Sequence, residues 1–300
     1  MSTPHVSIVI PTYKPIFLEE ALDSAFAQTC RDTEIVVSDQ CPDDAVRRII
    51  ERHPQIRYHR NPLPGVYSNF RNCIRLARGE FVKFLLDDDL LEPHCIDAML
   101  RGFDDYPGAT LVAGWYRLID AQGNERKLRR PEVDGPVVSS PGGSGGPMLV
   151  SARNPIGPLT TSMFRRRSFP LGIGPFFFIT GAPDRYFGLI DMSIILDLAF
   201  TGRVVILPET LSAMREHPDQ LSNHRNNPRL IHSIRSWLPL IEDAYAFGLI
   251  TEQQHRNALL KVLDQFRRFV RTFPPLREDV ARLETRLAGL GIDPTVSAGQ

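Results

Sequence analysis

Three consecutive aspartates, Asp87-Asp88-Asp89, end the apolar stretch Phe81-Val82-Lys83-Phe84-Leu85-Leu86. Carboxylates released together from a buried strand concentrate negative charge, which costs free energy unless a cation or hydrogen-bond donors neutralise it. A divalent metal ion carrying a diphosphate suits that charge. Two further polar segments, Pro11-Thr12-Tyr13 and Asp39, each follow a short apolar run in the same way.

The elements that must position these residues are legible from hydrophobic spacing. Val6-Ser7-Ile8-Val9-Ile10 reads as a strand stopped by Pro11, and after Pro15 the residues Leu18, Ala21, Leu22, Ala25 and Phe26 recur at helical intervals. Glu34-Ile35-Val36-Val37-Ser38 is a second strand, followed by a short helix through Val46, Ile49 and Ile50. Ile56-Arg57-Tyr58-His59 is a third strand, and Phe70, Cys73, Ile74 and Ala77 mark a helix closed by Gly79, before the run from Phe81 to Leu86. Strands alternating with helices predict a parallel sheet with right-handed crossovers, whose ligands bind beyond the carboxyl ends of the strands. Thr12, Asp39 and the acidic run all fall at such ends, so three polar loops are expected around one crevice.

A helix through Ile96, Met99, Leu100 and Phe103 follows, then a strand from Thr110 to Tyr116 with hairpin character around Gln122-Gly123-Asn124. Residues 135–147 carry five glycines and three prolines. So little apolar surface predicts a mobile loop, conceivable as a lid. After Asn223 the texture is helical: Leu259, Leu263, Phe266, Val270 and Phe273, then Leu276, Val280, Leu283, Leu287 and Leu290, each form one apolar stripe. The stripes suit packing against each other and the main domain, with a homo-oligomer seam as the alternative. Arg267, Arg268, Arg271, Arg277, Arg282 and Arg286 read as a solvated face, with an anionic membrane surface as the other reading.

Composition narrows the class. With 35 acidic and 35 basic side chains there is no net charge to attract a polyanion, and nucleic-acid binding is disfavoured. The four cysteines form no C-x-x-C pair and are expected to be reduced and structural. No basic, apolar leader follows Met1 and no apolar stretch is long enough to span a bilayer, so a cytoplasmic protein is expected, with contact to the inner face of the membrane left open.

Taken together, Val6-Ser7-Ile8-Val9-Ile10-Pro11-Thr12-Tyr13, Ile35-Val36-Val37-Ser38-Asp39, Gly79-Glu80-Phe81-Val82, Asp87-Asp88-Asp89 with Pro93, and Arg215-Glu216-His217 with Ser222 resemble the inverting nucleotide-sugar glycosyltransferases of family 2. The resemblance implies an α/β GT-A fold: a Rossmann-like, mixed, mostly parallel sheet flanked by helices, here with a C-terminal helical extension. It assigns 1–222 to the transferase domain, with 1–109 the nucleotide-binding half and 110–222 the acceptor half, and leaves 223–300 as the helical region.

By the same resemblance, Pro11, Thr12, Tyr13 and Asp39 line the base and ribose pocket, where Tyr13 can stack and Asp39 can accept an imide N–H such as that of uracil. The family's metal motif has an aspartate, any residue, then an aspartate. Aligned on Pro93, its first aspartate falls on Leu86, so Asp87 takes the variable place, with a ribose or shared metal contact, and Asp88 is the principal ligand. Asp89 and His217 complete the expected metal set, which suits Mn2+ or Mg2+. Arg71 and Arg215 are expected near the diphosphate. The segment Gly188 to Ala199 resembles the base-bearing helix start and puts Asp191 on the catalytic carboxylate, with Asp184 the competing candidate. Ile190 stands where an acidic residue commonly precedes that base, which makes the pocket more apolar and should raise the Asp191 pKa. Residues 162–167 resemble the border of the acceptor site.

The implied reaction moves a sugar from a nucleoside diphosphate donor, with UDP expected, to a hydroxyl of a saccharide or lipid-linked saccharide, in a setting such as bacterial surface polysaccharide assembly. Two rivals remain. A sugar-phosphate nucleotidyltransferase would need a Gly-rich phosphate loop where Pro11-Thr12-Tyr13-Lys14-Pro15 stands. A nucleotide-sugar-binding protein without turnover would explain the Leu86 and Ile190 departures.

Overall fold

Apolar residues run nearly unbroken along the first and second strands, which are therefore buried on both faces for most of their length, whereas the third strand is only half-buried. The computed structural model describes residues 4–129, 134–168, 185–218, 220 and 229–295. Its first half runs β1 (Val6–Thr12), α1 (Leu18–Phe26), β2 (Thr33–Asp39), α2 (Ala45–Ile50), β3 (Arg57–Arg60), α3 (Val66–Leu76), β4 (Phe81–Phe84), β5 (Leu90–Leu91) and α4 (Cys95–Asp105). Then come β6 (Ala109–Ile119), β7 (Glu125–Arg129), β8 (Val137–Val138), α5 (Gly145–Ser151), β9 (Ser162–Arg165), α6 (Ile190–Thr201) and β10 (Arg203–Arg215). The chain closes with α7 (Leu230–Ala246), α8 (Glu252–Phe269) and α9 (Leu276–Gly289).

One sheet has the order β3-β2-β1-β4-β9-β6-β10-β5, with β7 on β6 and β8 on β10. The strands β3, β2, β1 and β4 are parallel, β9 runs antiparallel between β4 and β6, and β10 is parallel to β6. The expected mixed, mostly parallel α/β sheet is thus present. Val6, Ile8 and Ile10 of β1 pack in a core with α1, α2 and α4, whereas Val9 faces the opposite core with α3, α5 and α6. Nearly every residue of α6 is buried, which an amphipathic surface helix would not tolerate.

The helices α7, α8 and α9 join that second core. Leu259, Leu263, Phe266, Leu276, Leu283 and Leu287 are almost fully buried within the chain itself, so most of both apolar stripes packs intramolecularly, while Leu290 at the end of the second is exposed. A capping box sets the start of α8: the Thr251 hydroxyl accepts from Gln254 N at 3.2 Å, and the Gln254 side chain accepts from Thr251 N at 2.9 Å. Among the described residues, no helix is long and apolar enough to cross a membrane.

One sequence expectation fails here. The glycine-rich segment 135–147 is built into the fold, because β8 pairs with β10 and α5 begins at Gly145. Its glycines permit close approach: a Cβ on Gly145 would meet the Phe200 ring at 2.6 Å, and one on Gly146 the Gln254 amide at 2.8 Å. Of residues 162–167, expected to border an acceptor, Ser162–Arg165 form the central strand β9, with Ser162, Met163 and Phe164 buried.

Candidate active site

The carboxyl ends of β1, β2, β4 and β10 meet. Thr12 lies in register with Asp39, Tyr13 N donates to Asp87 Oδ2 at 3.2 Å, and Arg215 N, at the end of β10, donates to Asp89 Oδ1 at 3.2 Å. Tyr13, Lys14, Phe17, Asp87, Asp88 and His217 line a cavity of about 80 Å³, with Ile16 and Gln220 at its margin.

The three aspartates point three ways. Asp87 faces the cavity; burial, and then the charge of Asp88, push its pKa up to about 7, against the opposing effect of the Thr12 hydroxyl and Tyr13 N–H. Thr12 Oγ1 is itself buried and lacks a hydrogen-bond partner of ordinary geometry. Asp88 Oδ2 lies 3.1 Å from His217 Nε2, and that ring packs edge-on against Phe17. Asp89 turns inward and is 3% exposed, with Oδ2 accepting from Thr160 Oγ1 at 2.6 Å. Burial and then the charge of Asp88 hold its pKa well above the usual carboxylate range. Asp89, expected to complete the metal set, is anchored by one donor of the fold at each oxygen and is not among the residues that line the cavity with Asp87 and Asp88.

Beneath Asp89 lies Lys83, fully buried in β4 on the α4 side of the sheet. Its amine donates to Thr160 O and, at 3.3 Å, to Ser162 O. Burial lowers its pKa, while Cys95 and Asp89 oppose that shift. Hydrophobic spacing absorbed Lys83 into an apolar strand; one charged residue inside such a run is the signal that marked it.

Arg215 also departs from expectation. Its guanidinium is buried over the Phe17 ring at 4.3 Å and donates to Glu20 at 2.6 Å and to the carbonyls of Asp88, Asp120 and Ala121. With four of its five N–H donors on protein groups and its side chain buried, it braces the acidic loop from below. Arg71 is exposed on α3, beside Tyr67.

Asp39 is fully buried: Oδ1 accepts from Cys41 N at 2.6 Å, and Oδ2 from Tyr58 at 2.7 Å and Arg60 at 2.9 Å. A carboxylate has about four acceptor positions, so one remains. Pro11 is buried, whereas Tyr13 is 57% exposed and presents its ring to the crevice mouth. Asn69 ties this rim together, donating to Thr12 O at 3.2 Å and accepting from Ser38 Oγ at 2.6 Å.

Asp191 opens α6. Burial raises its pKa to about 6, opposed by hydrogen bonds from Met192 N, Asn154 and its own amide. Asn154 Nδ2 donates to Asp191 Oδ2 at 3.0 Å. Asn154 and Thr160, the partner of Asp89, are six positions apart, so the stretch linking base candidate to acidic loop spans at most about 22 Å. Asp184 and Ser222 lie outside the described residues.

Among the described residues, no three acidic, imidazole or thiol groups already converge into a closed metal cage. Asp87, Asp88 and His217 nevertheless fit a cation that takes its remaining ligands from a substrate: they line one cavity, and Asp87 carries an under-compensated charge.

Comparison with known proteins agrees with this architecture. The model for glycosyl transferase family 2 matches residues 7–171. Chondroitin synthase of Escherichia coli is 32% identical over 126 residues, which cover 40% of this chain and 18% of that protein. The GalNAc(5)-diNAcBac-PP-undecaprenol beta-1,3-glucosyltransferase of Campylobacter jejuni is 31% identical over 131 residues, 41% of each chain. The matched segment thus spans less than half the length of either relative. The crystal structure of S. aureus TarS 1-349 in complex with UDP superposes with a TM-score of 0.55 at 15% identity, covering 87% of this chain and 80% of that one, and shares its fold. With more than half of its length matched by the family model, the chain belongs to glycosyl transferase family 2.

Proposed function

We propose that this protein transfers a sugar from a nucleoside diphosphate donor to an acceptor hydroxyl with inversion at the anomeric carbon, within residues 1–222, and that helices 223–300 are an extension of that domain. The observation that carries this reading is the pairing of two unlike carboxyl environments. Asp87 and Asp88 face a cavity with His217, while Asp191 is a desolvated carboxyl at the start of α6. Burial raises the pKa of both Asp87 and Asp191, but Asp87 also lies beside the charge of Asp88, so a cation would relieve the first site and a proton-accepting role suits the second.

Asp87, Asp88 and His217 would hold a divalent cation, Mn2+ or Mg2+, which supplies charge stabilisation for a departing diphosphate. Tyr13 stacks on the base, and the free acceptor position of Asp39 takes a base or ribose N–H or O–H. Asp191 takes the proton of the acceptor hydroxyl as the oxygen bonds to the anomeric carbon. The bond from that carbon to the diphosphate oxygen breaks with its electron pair on the oxygen, so no covalent enzyme intermediate forms. UDP-sugars are the favoured donors, because TarS was crystallised with UDP and with UDP-GlcNAc. A saccharide or lipid-linked acceptor in bacterial glycan synthesis follows from the named relatives.

A thermal-shift screen of nucleoside diphosphates with and without Mn2+ tests the donor site. A rise in Tm with UDP that requires the metal is expected. No rise with any base, at millimolar ligand, would defeat the reading.

A further inference from the structure

Asn154 is absent from every sequence motif considered above, yet its side chain makes four hydrogen bonds that join a loop to the candidate base. Oδ1 accepts from Ile156 N and Gly157 N, both at 3.0 Å, which closes a tight turn. Nδ2 donates to Gly157 O at 2.6 Å and to Asp191 Oδ2 at 3.0 Å. The turn thus fixes the amide, and the amide has a donor left over for a carboxylate on another element. Because Oδ1 is committed to two N–H groups, the amide cannot flip without losing both of them.

We propose that Asn154 is a positioning residue for the transfer reaction: it holds Asp191 by one oxygen so that the other faces the acceptor hydroxyl. This rests on the reading of Asp191 as the base. The energetic logic follows from the surroundings. Asp191 is desolvated among Ile190, Met192 and the buried body of α6. Among the described residues of α5, α6, β6 and β10, no charged side chain contributes to its protonation balance; Asp197, farther along α6, couples to Tyr67 instead. Among the described residues, Asn154 is therefore the side chain that favours the ionised form, the other donors being backbone amides. A neutral donor steadies the anion without the strong stabilisation an arginine would bring, which would leave a poor base.

The test uses the full-length chain with Asn154→Ser and Asn154→Ala. Serine keeps an oxygen that can serve the turn but is too short to reach Asp191. Two readouts are compared: the acid limb of kcat/KM against pH, and the 13C carboxyl titration of Asp191, assigned by its absence in Asp191→Asn. In both variants the limb and the carboxyl titration should move upward together by about one pH unit, the scale of a lost charge-assisted hydrogen bond. A folded variant whose Asp191 carboxyl titrates as in the wild type would overturn the proposal, as would failure of both variants to fold, which would make Asn154 a keystone of the loop. If Asp191→Asn keeps both turnover and acid limb, the base reading itself fails. The carboxyl titration still reports separately on the Asn154 contact.

Discussion

The acidic crevice and the C-terminal helices treat charge in opposite ways. In the helices several basic groups have an acidic partner on a neighbouring element: Arg267 with Glu284, Arg286 with Glu242, Arg235 with Asp279. At the crevice three aspartates stand in sequence, two of them held protonated more readily than free aspartate, with the nearest arginine spent on bracing the loop. The helical region is arranged for stability, whereas the crevice carries a stability cost that a bound cation and donor would relieve.

The largest effect that can break this contrast is chemical. Asp191→Asn is expected to cut kcat by on the order of a thousandfold or more while leaving donor affinity nearly unchanged. Equal losses in binding, measured by calorimetry, and in turnover would remove its assignment as base. Asp88→Ala comes next: the metal-dependent rise in Tm with a nucleoside diphosphate should vanish, although the apo protein still folds.

In the helical region, Leu263→Ala should cost about 2–5 kcal/mol in denaturant unfolding, because the residue is fully buried in a core shared with α6. A loss below about 1 kcal/mol would mean that these helices are loosely attached.

A smaller effect depends on pH and carries the sign opposite to a salt-bridged aspartate. Asp191 binds its proton more tightly in the folded than in the unfolded chain, since burial raises its pKa to about 6. Its stability cost is therefore absent below the unfolded value near pH 4 and fully present above pH 6, so stability falls as pH rises through that window. Asp191→Asn should stabilise the ligand-free protein by about 1–3 kcal/mol at pH 7.5, and the gain should fade toward pH 4. The smallest change is expected for Arg286→Ala, where a half-exposed ion pair to Glu242 contributes about 0–1 kcal/mol.

Apolar and helical spacing located the parallel strands β1 to β4 and their helices, because burial on both faces leaves runs such as those of β1 and β2 nearly unbroken in apolar residues. It also located Asp39 and the acidic run at strand ends. The glycine-rich segment misled for a physical reason: composition reports the lack of apolar side chains, but Gly145 and Gly146 pack by offering no side chain at all. The stripes of α8 and α9 were visible, yet whether a second copy of the chain or the chain itself covered them was not.

Sequence alone determined which residue types gather at the carboxyl ends of the first strands, since local spacing sets element type and strand direction sets where loops emerge. Only the tertiary structure decided how each polar group is used. Asp89 faces inward to Thr160, Arg215 is spent under the loop, and Asn154 reaches Asp191 across 37 positions of sequence. Side-chain direction and hydrogen-bond partnership depend on what packs opposite, and that is set by contacts between elements far apart along the chain.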